Sequence, residues 1–175
     1  MERKIILNLA ISLDGYIASE DGGFDWIVGC GDNSLDTPNQ LDFNMFLEDV
    51  DLVVMGKNCY DQGFHGDYSN KKVIVATHEE FEDYENIRFV STNICQEILR
   101  EKNLNGKNIF LFGGGVLVQP FIESNIIDEY IVGIIPTILG KGRRLFIGNN
   151  NKIDLHTEEV SISDGITVIR YSKKL

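Results

Sequence analysis

Residues 108–116 read Asn-Ile-Phe-Leu-Phe-Gly-Gly-Gly-Val, and this stretch indicates the fold. The apolar run 109–112 is typical of a strand that is covered on both faces. The three glycines end the strand, and an apolar helix is predicted from about 116 to 123. Proline is tolerated in the first turn of a helix, so Pro120 places the helix start at or after Gly115. A buried strand that turns directly into a helix is typical of an α/β domain.

The glycine run also predicts a binding site. Glycine has no Cβ, so its backbone approaches a phosphate closely, and the free N–H groups of the following helix attract an anion. The alternative is a tight strand-to-helix turn that binds nothing. The dinucleotide fingerprint G-x-G-x-x-G is absent. The residues predicted to form this anion site are Gly113, Gly114, Gly115, Val116 and Leu117.

A second buried strand, 51–55, ends in the same way, at Gly56. Lys57 follows and offers a positive charge. The carboxyl ends of neighbouring parallel strands meet at one crevice, so this lysine is predicted to lie near the glycine run. A surface lysine that follows a strand is the simpler alternative.

The rest of the chain alternates between strands and helices and closes with a hairpin at Asp164-Gly165. We predict a single α/β domain over 1–175, with three layers (α/β/α) and a mixed, mostly parallel eight-stranded sheet that ends in an antiparallel C-terminal hairpin. The further predicted strands are 4–12, 72–76, 87–90, 129–139, 155–163 and 166–172, and the further predicted helices are 41–48 and about 93–103.

Composition excludes several classes of protein. The chain has 175 residues, with 27 acidic and 16 basic side chains and a net charge of −11, which argues against nucleic-acid binding. No apolar stretch is long enough to span a bilayer, and the N-terminus does not resemble a signal peptide. Three scattered cysteines favour reduced thiols in the cytoplasm. Three scattered histidines predict no metal site.

Four blocks of the sequence, in order, resemble a known superfamily. They are 12–18 with Trp26 beyond it, 51–60, 112–115 and 127–146. Together they resemble the dihydrofolate reductase superfamily. Within it they are most similar to the bacterial branch that includes the C-terminal reductase domain of riboflavin biosynthesis. The resemblance implies a reductase that uses NADPH, and it implies a homodimer, which the long apolar strand 130–139 also suggests.

The resemblance assigns positions along a bound NADPH. It implies that the nicotinamide lies near Ala10 and Ile17. It places the pyrophosphate on residues 114–116 and on the turn formed by Asn58 and Cys59.

The same resemblance places the adenosine 2′-phosphate near Lys57, Thr77 and His78, but the sequence departs from the family here. Lys57 replaces an arginine and loses its planar, two-pronged donor, and Cys59 replaces a threonine hydroxyl with a weaker donor. The acidic pair 79–80 follows at once and would repel a phosphate. We still expect NADPH in preference to NADH.

Hydride transfer needs a nearby proton source, and two carboxyl groups are candidates. Asp42 matches the position of the acid on the first helix of folate reductases, and its alternative, which the residue type favours, is the N-cap of that helix. Asp14 is the other candidate, and its alternative is a plain Asp-Gly turn. The hydroxyl residue that supports the acid in folate reductases would fall near Val132, which argues against dihydrofolate itself.

Trp26, Phe43 and Phe46 are predicted to form an apolar wall for a flat heterocycle, with ordinary core packing as the alternative. The basic pair 143–144 offers contacts to a substrate phosphate or forms a solvated loop. The leading hypothesis is hydride transfer from NADPH to a small heterocycle, either an aminopyrimidine ribosyl phosphate or a pterin. The alternative is a nucleotide-binding module of the same fold without catalysis.

Overall fold

The computed structural model describes residues 2–148 and 151–174. Its ten strands are β1 (Ile5–Ser12), β2 (Tyr16–Ala18), β3 (Val50–Gly56), β4 (Lys72–Ala76), β5 (Ile87–Val90), β6 (Asn108–Gly113), β7 (Glu129–Ile135), β8 (Arg143–Arg144), β9 (Leu155–Ser163) and β10 (Ile166–Lys173). The helices are α1 (Phe43–Glu48), α2 (Lys57–Asp61), α3 (Ile94–Lys102) and α4 (Gly115–Glu123), with a 3₁₀ helix at Phe64–Tyr68.

Eight strands form one mixed sheet in the order β5-β4-β3-β6-β1-β7-β10-β9. All pairings from β5 to β7 are parallel, and β10 pairs antiparallel with both β7 and β9. The last two strands are the expected hairpin. The predicted fold class is therefore confirmed.

Alternating side chains of the central strands build a core on each face of the sheet, as the period of two in a strand requires. On β3, Leu52 and Val54 join the α3 and α4 side chains in one core, whereas Val53 and Met55 enter the other. Phe110 of β6 belongs to the second core, to which α1 and α2 contribute. Helices on both faces of the sheet give the three expected layers.

Three local predictions need correction. The strand predicted over 129–139 ends at Ile135, because Pro136 has no N–H with which to continue the sheet. Helix α4 begins at Gly115 as expected, but Pro120 lies inside the helix and not in its first turn. The segment after Asp14 contains a strand that was not predicted, β2, which pairs with β8 as a separate two-stranded sheet.

No helix in the described ranges is both long and apolar enough to cross a membrane.

Candidate functional site

A cleft of about 810 Å³ crosses the carboxyl ends of four neighbouring strands, β4, β3, β6 and β1. Ligands of α/β proteins bind outside the carboxyl ends of parallel strands, so this is the expected place for a site. The residues that line the cleft are Leu9, Ala10, Ile17, Ala18, Gly22, Phe24, Ile27, Gly56, Lys57, Asn58, Cys59, Asp61, Gln62, Phe64, Ala76, Thr77, His78, Glu79, Phe112, Gly114, Gly115, Val116, Leu117, Arg143, Arg144 and Ile147.

The glycine run opens onto this cleft. Gly113 has φ of +114°, a value that side chains disfavour, and Gly114 caps α4 without a side-chain hydrogen bond to the helix N–H groups. A Cβ added to Gly114 would meet only the Ile17 side chain, at 3.6 Å, so the absent side chain leaves room beside the helix start. The backbone at Gly114 is therefore accessible to an anion, whereas Gly113 and Gly115 are buried and Gly113 does not line the cleft.

Gly115 is required for a different reason. A Cβ on this residue would lie 2.3 Å from the carbonyl oxygen of Arg144. The start of α4 and strand β8 are thus in direct backbone contact, and the two form one wall of the cleft.

Lys57 lies at the same cleft, one strand away, as predicted. Its ammonium group forms an ion pair with Asp61, one turn later in α2, and lies 5.0 Å from the centre of the Phe81 ring. Part of its charge is already neutralised, so an anion that binds here competes with the Asp61 carboxylate.

The Cys59 thiol faces the glycine run and donates to the Gly113 carbonyl oxygen at 3.6 Å. Burial raises the pKa of this thiol, and the backbone at Gly114 and Gly56 and the charge of Arg143 oppose that shift. The thiol therefore remains neutral near pH 7 and adds no negative charge to the cleft.

The end of β4 supplies the far side of the cleft. Thr77 is almost fully buried, and its hydroxyl accepts a hydrogen bond from the Glu79 N–H at 3.1 Å. His78 and Glu79 also line the cleft, whereas Glu80, the second acid that was expected to repel a phosphate, does not. At the opposite side, Ala10 of β1 and Ile17 of β2 line the cleft together.

The apolar wall of the cleft is built from other aromatic residues than those predicted. Phe24, Phe64 and Phe112 line it, with ring centroids 5.4 and 5.3 Å apart along the series. Trp26 lies outside the lining, and its indole N–H donates to the Gly23 carbonyl at 3.3 Å.

Phe43 and Phe46 also lie outside the lining. Both rings pack edge-on against Phe110 in the core beneath α1, at 6.0 and 5.1 Å. The sequence offered no signal to separate the two groups of aromatic residues, because Phe46, Phe64 and Phe112 pack against the same core and their distance from the cleft depends on how the loops fold.

Asp42 has the role of a helix cap. Its side chain accepts hydrogen bonds from the N–H groups of Asn44 and Met45, at 2.7 and 3.0 Å. These donors are two of the unpaired N–H groups at the start of α1, so the carboxylate completes the helix. Asp42 does not line the cleft, and this geometry gives it no contact with a reacting group there.

Asp14 joins two loops. Its carboxylate accepts hydrogen bonds from the Ser12 hydroxyl at 2.6 Å and from the N–H groups of Leu139 and Gly140 at 3.1 and 2.8 Å. The Ser12 hydroxyl, followed by these backbone donors, lowers the pKa of Asp14 despite some desolvation. A carboxyl group with a lowered pKa is a poor proton donor near pH 7, and Asp14 does not line the cleft.

We expect Asp14→Asn to reduce the free energy of unfolding at pH 7 and to leave ligand binding in the cleft unchanged. The lowered folded-state pKa means that the carboxylate stabilises the fold above pH about 4. That stabilisation is lost as the pH falls through the folded-state pKa. Urea unfolding of both proteins at pH 7 and pH 3 should therefore show a difference that narrows in acid. A difference that is equal at both pH values would contradict this role.

Both residues of the basic pair line the cleft. Arg144 places its guanidinium over the Tyr16 ring, 4.6 Å from the centroid, and donates to the Tyr16 hydroxyl at 3.1 Å. Arg143 lies beside Gly22 and Gln62. The pair therefore lines the cleft from a short strand that is held against β2, and both side chains are exposed to solvent.

The fold and this cleft define a dihydrofolate reductase-like α/β protein. The dihydrofolate reductase of Enterococcus faecalis, solved with NADP(H), matches with a TM-score of 0.66 at 16% identity over 100% of this chain and 99% of the other, a likeness of fold alone. A putative riboflavin biosynthesis protein from Shewanella sp. PV-4 matches with a TM-score of 0.79 at 30% identity, over 98% and 99% of the two chains.

At the level of sequence, the family profile of the RibD C-terminal domain matches residues 3–169. The Bacillus subtilis (strain 168) protein YwjB is 34% identical over 166 residues, which cover 89% of this chain and 90% of YwjB. The chain belongs to the RibD C-terminal domain family. The predicted superfamily and branch are thereby confirmed.

Proposed function

We propose that the protein is an NADPH-dependent reductase that transfers hydride to a small heterocycle of the aminopyrimidine or pterin type. The observation that carries this proposal is the shape and lining of the cleft. One opening crosses the ends of four strands, with an accessible backbone at Gly114 near its middle and Lys57 one strand away. The likeness in fold to a dihydrofolate reductase and the 30% identity to a putative riboflavin biosynthesis protein suit this class of activity.

The order of the strands arranges a dinucleotide along the cleft. The ends of β3 and β6, which carry Asn58 and Gly114, suit the diphosphate because helix starts and glycines offer N–H donors. The end of β4, with Thr77 and His78, suits the adenosine ribose and its 2′-phosphate, and Lys57 lies between these two regions. Ala10 and Ile17 suit the flat nicotinamide at the other side.

When bound, NADPH supplies the hydride, and the chain's own residues hold and orient the cofactor and the substrate. Phe24, Phe64 and Phe112 give an apolar surface against which a flat ring can stack. Within the described lining, the two carboxyl groups are Asp61 and Glu79, which belong to the β3 and β4 side, away from Ala10 and Ile17. We therefore propose that the proton reaches the substrate from water and not from Asp42 or Asp14.

The decisive experiment has two stages. Titration of NADPH into the protein, followed by the fluorescence of the cofactor and of Trp26, measures binding. Trp26 is a suitable reporter because it lies between Phe24 and Ile27, which line the cleft. NADPH oxidation is then measured with a panel of aminopyrimidine ribosyl phosphates and pterins. Absence of binding at millimolar NADPH would refute the proposal.

Lys57→Gln separates NADPH from NADH. We expect the Kd for NADPH to rise about tenfold, because one charge-assisted contact to the 2′-phosphate is lost. The Kd for NADH, which lacks this phosphate, should change less than twofold. Both constants are measured by the same titration, with Lys152→Gln as the control, since Lys152 is an exposed lysine outside the cleft. An equal rise for both cofactors would contradict this assignment.

A nucleotide-binding module without catalysis is the second candidate. It is favoured by the position of Asp42 and Asp14, since neither candidate acid lines the cleft. Binding of NADPH without turnover of any substrate in the panel would support this alternative.

We also propose a cytoplasmic homodimer. The three cysteines are free thiols, which suits a reducing compartment. The apolar strand that first suggested pairing, β7, is internal, but β10 beside it has no fully buried residue, and Val160 on the edge strand β9 is half exposed. This weakly covered end of the sheet suits a second copy. Light scattering should give about twice the chain mass of 19.7 kDa.

A further inference from the structure

The arginines of this acidic chain divide into two groups. Four of the six form ion pairs with carboxylates, and the remaining two are Arg143 and Arg144. Within residues 2–148 and 151–174, no carboxylate oxygen lies within 4.0 Å of either one. Both line the cleft. In a protein with a net charge of −11, two arginines without an acidic partner in one cleft indicate a negatively charged ligand.

The two arginines have different surroundings. Arg144 is held by Tyr16, which lies beneath its guanidinium and accepts one of its hydrogen bonds. Among the residues that the structure describes, no aromatic ring supports Arg143 in this way. A Cβ placed on Gly22 would lie 3.3 Å from the guanidinium carbon of Arg143 and 2.9 Å from the side-chain amide nitrogen of Gln62. Arg143 and Gln62 therefore meet where the loop after β2 approaches the end of α2.

This position is the middle of the cleft. On one side of the cleft, Arg143 pairs with Ala18 of β2. On the other side, Gln62 is the residue after α2, the helix that follows β3. The charge of Arg143 also acts on the Cys59 thiol in the first turn of α2. Arg143 thus lies on the opposite wall from α2 and close to the space that Asn58 and Gly114 share.

Two close backbone contacts fix strand β8 in this place. A Cβ on Gly142 would lie 2.3 Å from the Ala18 carbonyl oxygen, and a Cβ on Gly115 would lie 2.3 Å from the Arg144 carbonyl oxygen. Strand β8 is therefore held between β2 and the start of α4. The backbone that carries Arg143 is in place before any ligand binds.

We propose that Arg143 binds the diphosphate of the dinucleotide from the wall that β8 forms with the start of α4, so that the diphosphate contacts both a guanidinium and the backbone N–H groups at the glycine run. This proposal rests on the proposed function and adds a binding residue to it. Arginine suits the task because its planar fork donates two hydrogen bonds to phosphate oxygens. It also supplies charge that Lys57, paired with Asp61, supplies only in part.

The diphosphate is favoured over the other anionic groups by position. The 2′-phosphate belongs to the β4 end of the cleft, where Thr77 and His78 lie, whereas Arg143 adjoins α2 and β2. NADPH and NADH share the diphosphate and differ in the 2′-phosphate, so the two cofactors distinguish these sites.

The test is the Arg143→Gln variant, with Arg100→Gln as the matched control. Arg100 is an exposed arginine on α3, outside the cleft. We expect Arg143→Gln to raise the Kd for NADPH and the Kd for NADH by the same factor, about tenfold or more, because each loses the same charge-assisted contact. Arg100→Gln should leave both constants unchanged. The circular dichroism and urea midpoint of both variants check that the fold is intact.

Each other outcome has a defined meaning. A rise for NADPH alone would place Arg143 at the 2′-phosphate and overturn the proposal. Unchanged constants for both cofactors, or a change only in the KM of the second substrate, would also overturn it. Failure of the unaltered protein to bind either dinucleotide would instead refute the proposed function, so the two failures are distinguishable.

Discussion

Gly115→Ala is expected to weaken NADPH binding by about a hundredfold or more and to destabilise the fold. The new Cβ would lie 2.3 Å from the Arg144 carbonyl oxygen, whereas a Cβ atom in a folded protein stays at least 3.0 Å from the heavy atoms that it contacts. Strand β8 and the start of α4 must therefore move apart by at least 0.7 Å. That movement displaces the backbone N–H groups of α4 and the arginines of β8 together, and small misplacements of anion-binding groups are costly.

Binding and stability are measured separately for this variant. Overpacking against a rigid backbone costs about 1–3 kcal/mol of unfolding free energy, which leaves a folded protein in which the Kd for NADPH can be determined. Gly66→Ala is the matched control, since a Cβ there meets no atom within 4 Å and its φ is not positive. A Gly115→Ala protein that binds NADPH as tightly as the Gly66→Ala protein would contradict the role of this contact.

The parts of the fold that the sequence predicted correctly are those that depend on neighbouring residues. The strands 72–76 and 87–90 were predicted to the residue, because short apolar runs between polar residues are local signals. The hairpin at Asp164-Gly165 was predicted for the same reason: both residues have positive φ in the turn.

The sequence did not predict the pairing of β2 with β8. These strands contain three and two residues and lie more than a hundred positions apart, so neither has enough residues to show a period. Yet this pairing brings Arg143 and Arg144 into the cleft. The sequence offered this basic pair either for a substrate phosphate or as a solvated loop, and only the long-range contact shows that it lines the cleft.

The roles of the carboxylate side chains were also difficult to predict from the sequence. Asp42 at a helix start is suited by residue type to cap a helix or to face a substrate, and only the position of α1 over the Phe110 core distinguishes the two. The glycine run was more informative, because a glycine whose backbone has φ of +114°, or whose Cβ would strike a carbonyl, has few alternative explanations.

Phe110→Ala is expected to lower the free energy of unfolding by about 3–5 kcal/mol. Phe110 is 1% exposed, and its ring contacts four other aromatic rings, those of Phe43, Phe46, Tyr68 and Phe112. Removal of this ring leaves a cavity that the surrounding β-strand backbone cannot close. Phe43→Ala is the comparison, because Phe43 is 46% exposed and should cost only about 1–2 kcal/mol. Urea unfolding measures both changes.

A variant that carries both Phe46→Ala and Phe110→Ala tests whether the aromatic residues of α1 pack in the core or contact the substrate. The rings of Phe46 and Phe110 lie 5.1 Å apart, so their effects on stability should not add, with a coupling of about 0.5–3 kcal/mol. Phe46→Ala alone should leave the Kd for NADPH and the KM for substrate unchanged, because Phe46 does not line the cleft. If the losses of unfolding free energy of the two single variants add, and Phe46→Ala raises the KM for substrate, then Phe46 contacts the substrate. The KM for substrate is the deciding measurement, since Phe112 contacts the Phe110 ring and also lines the cleft.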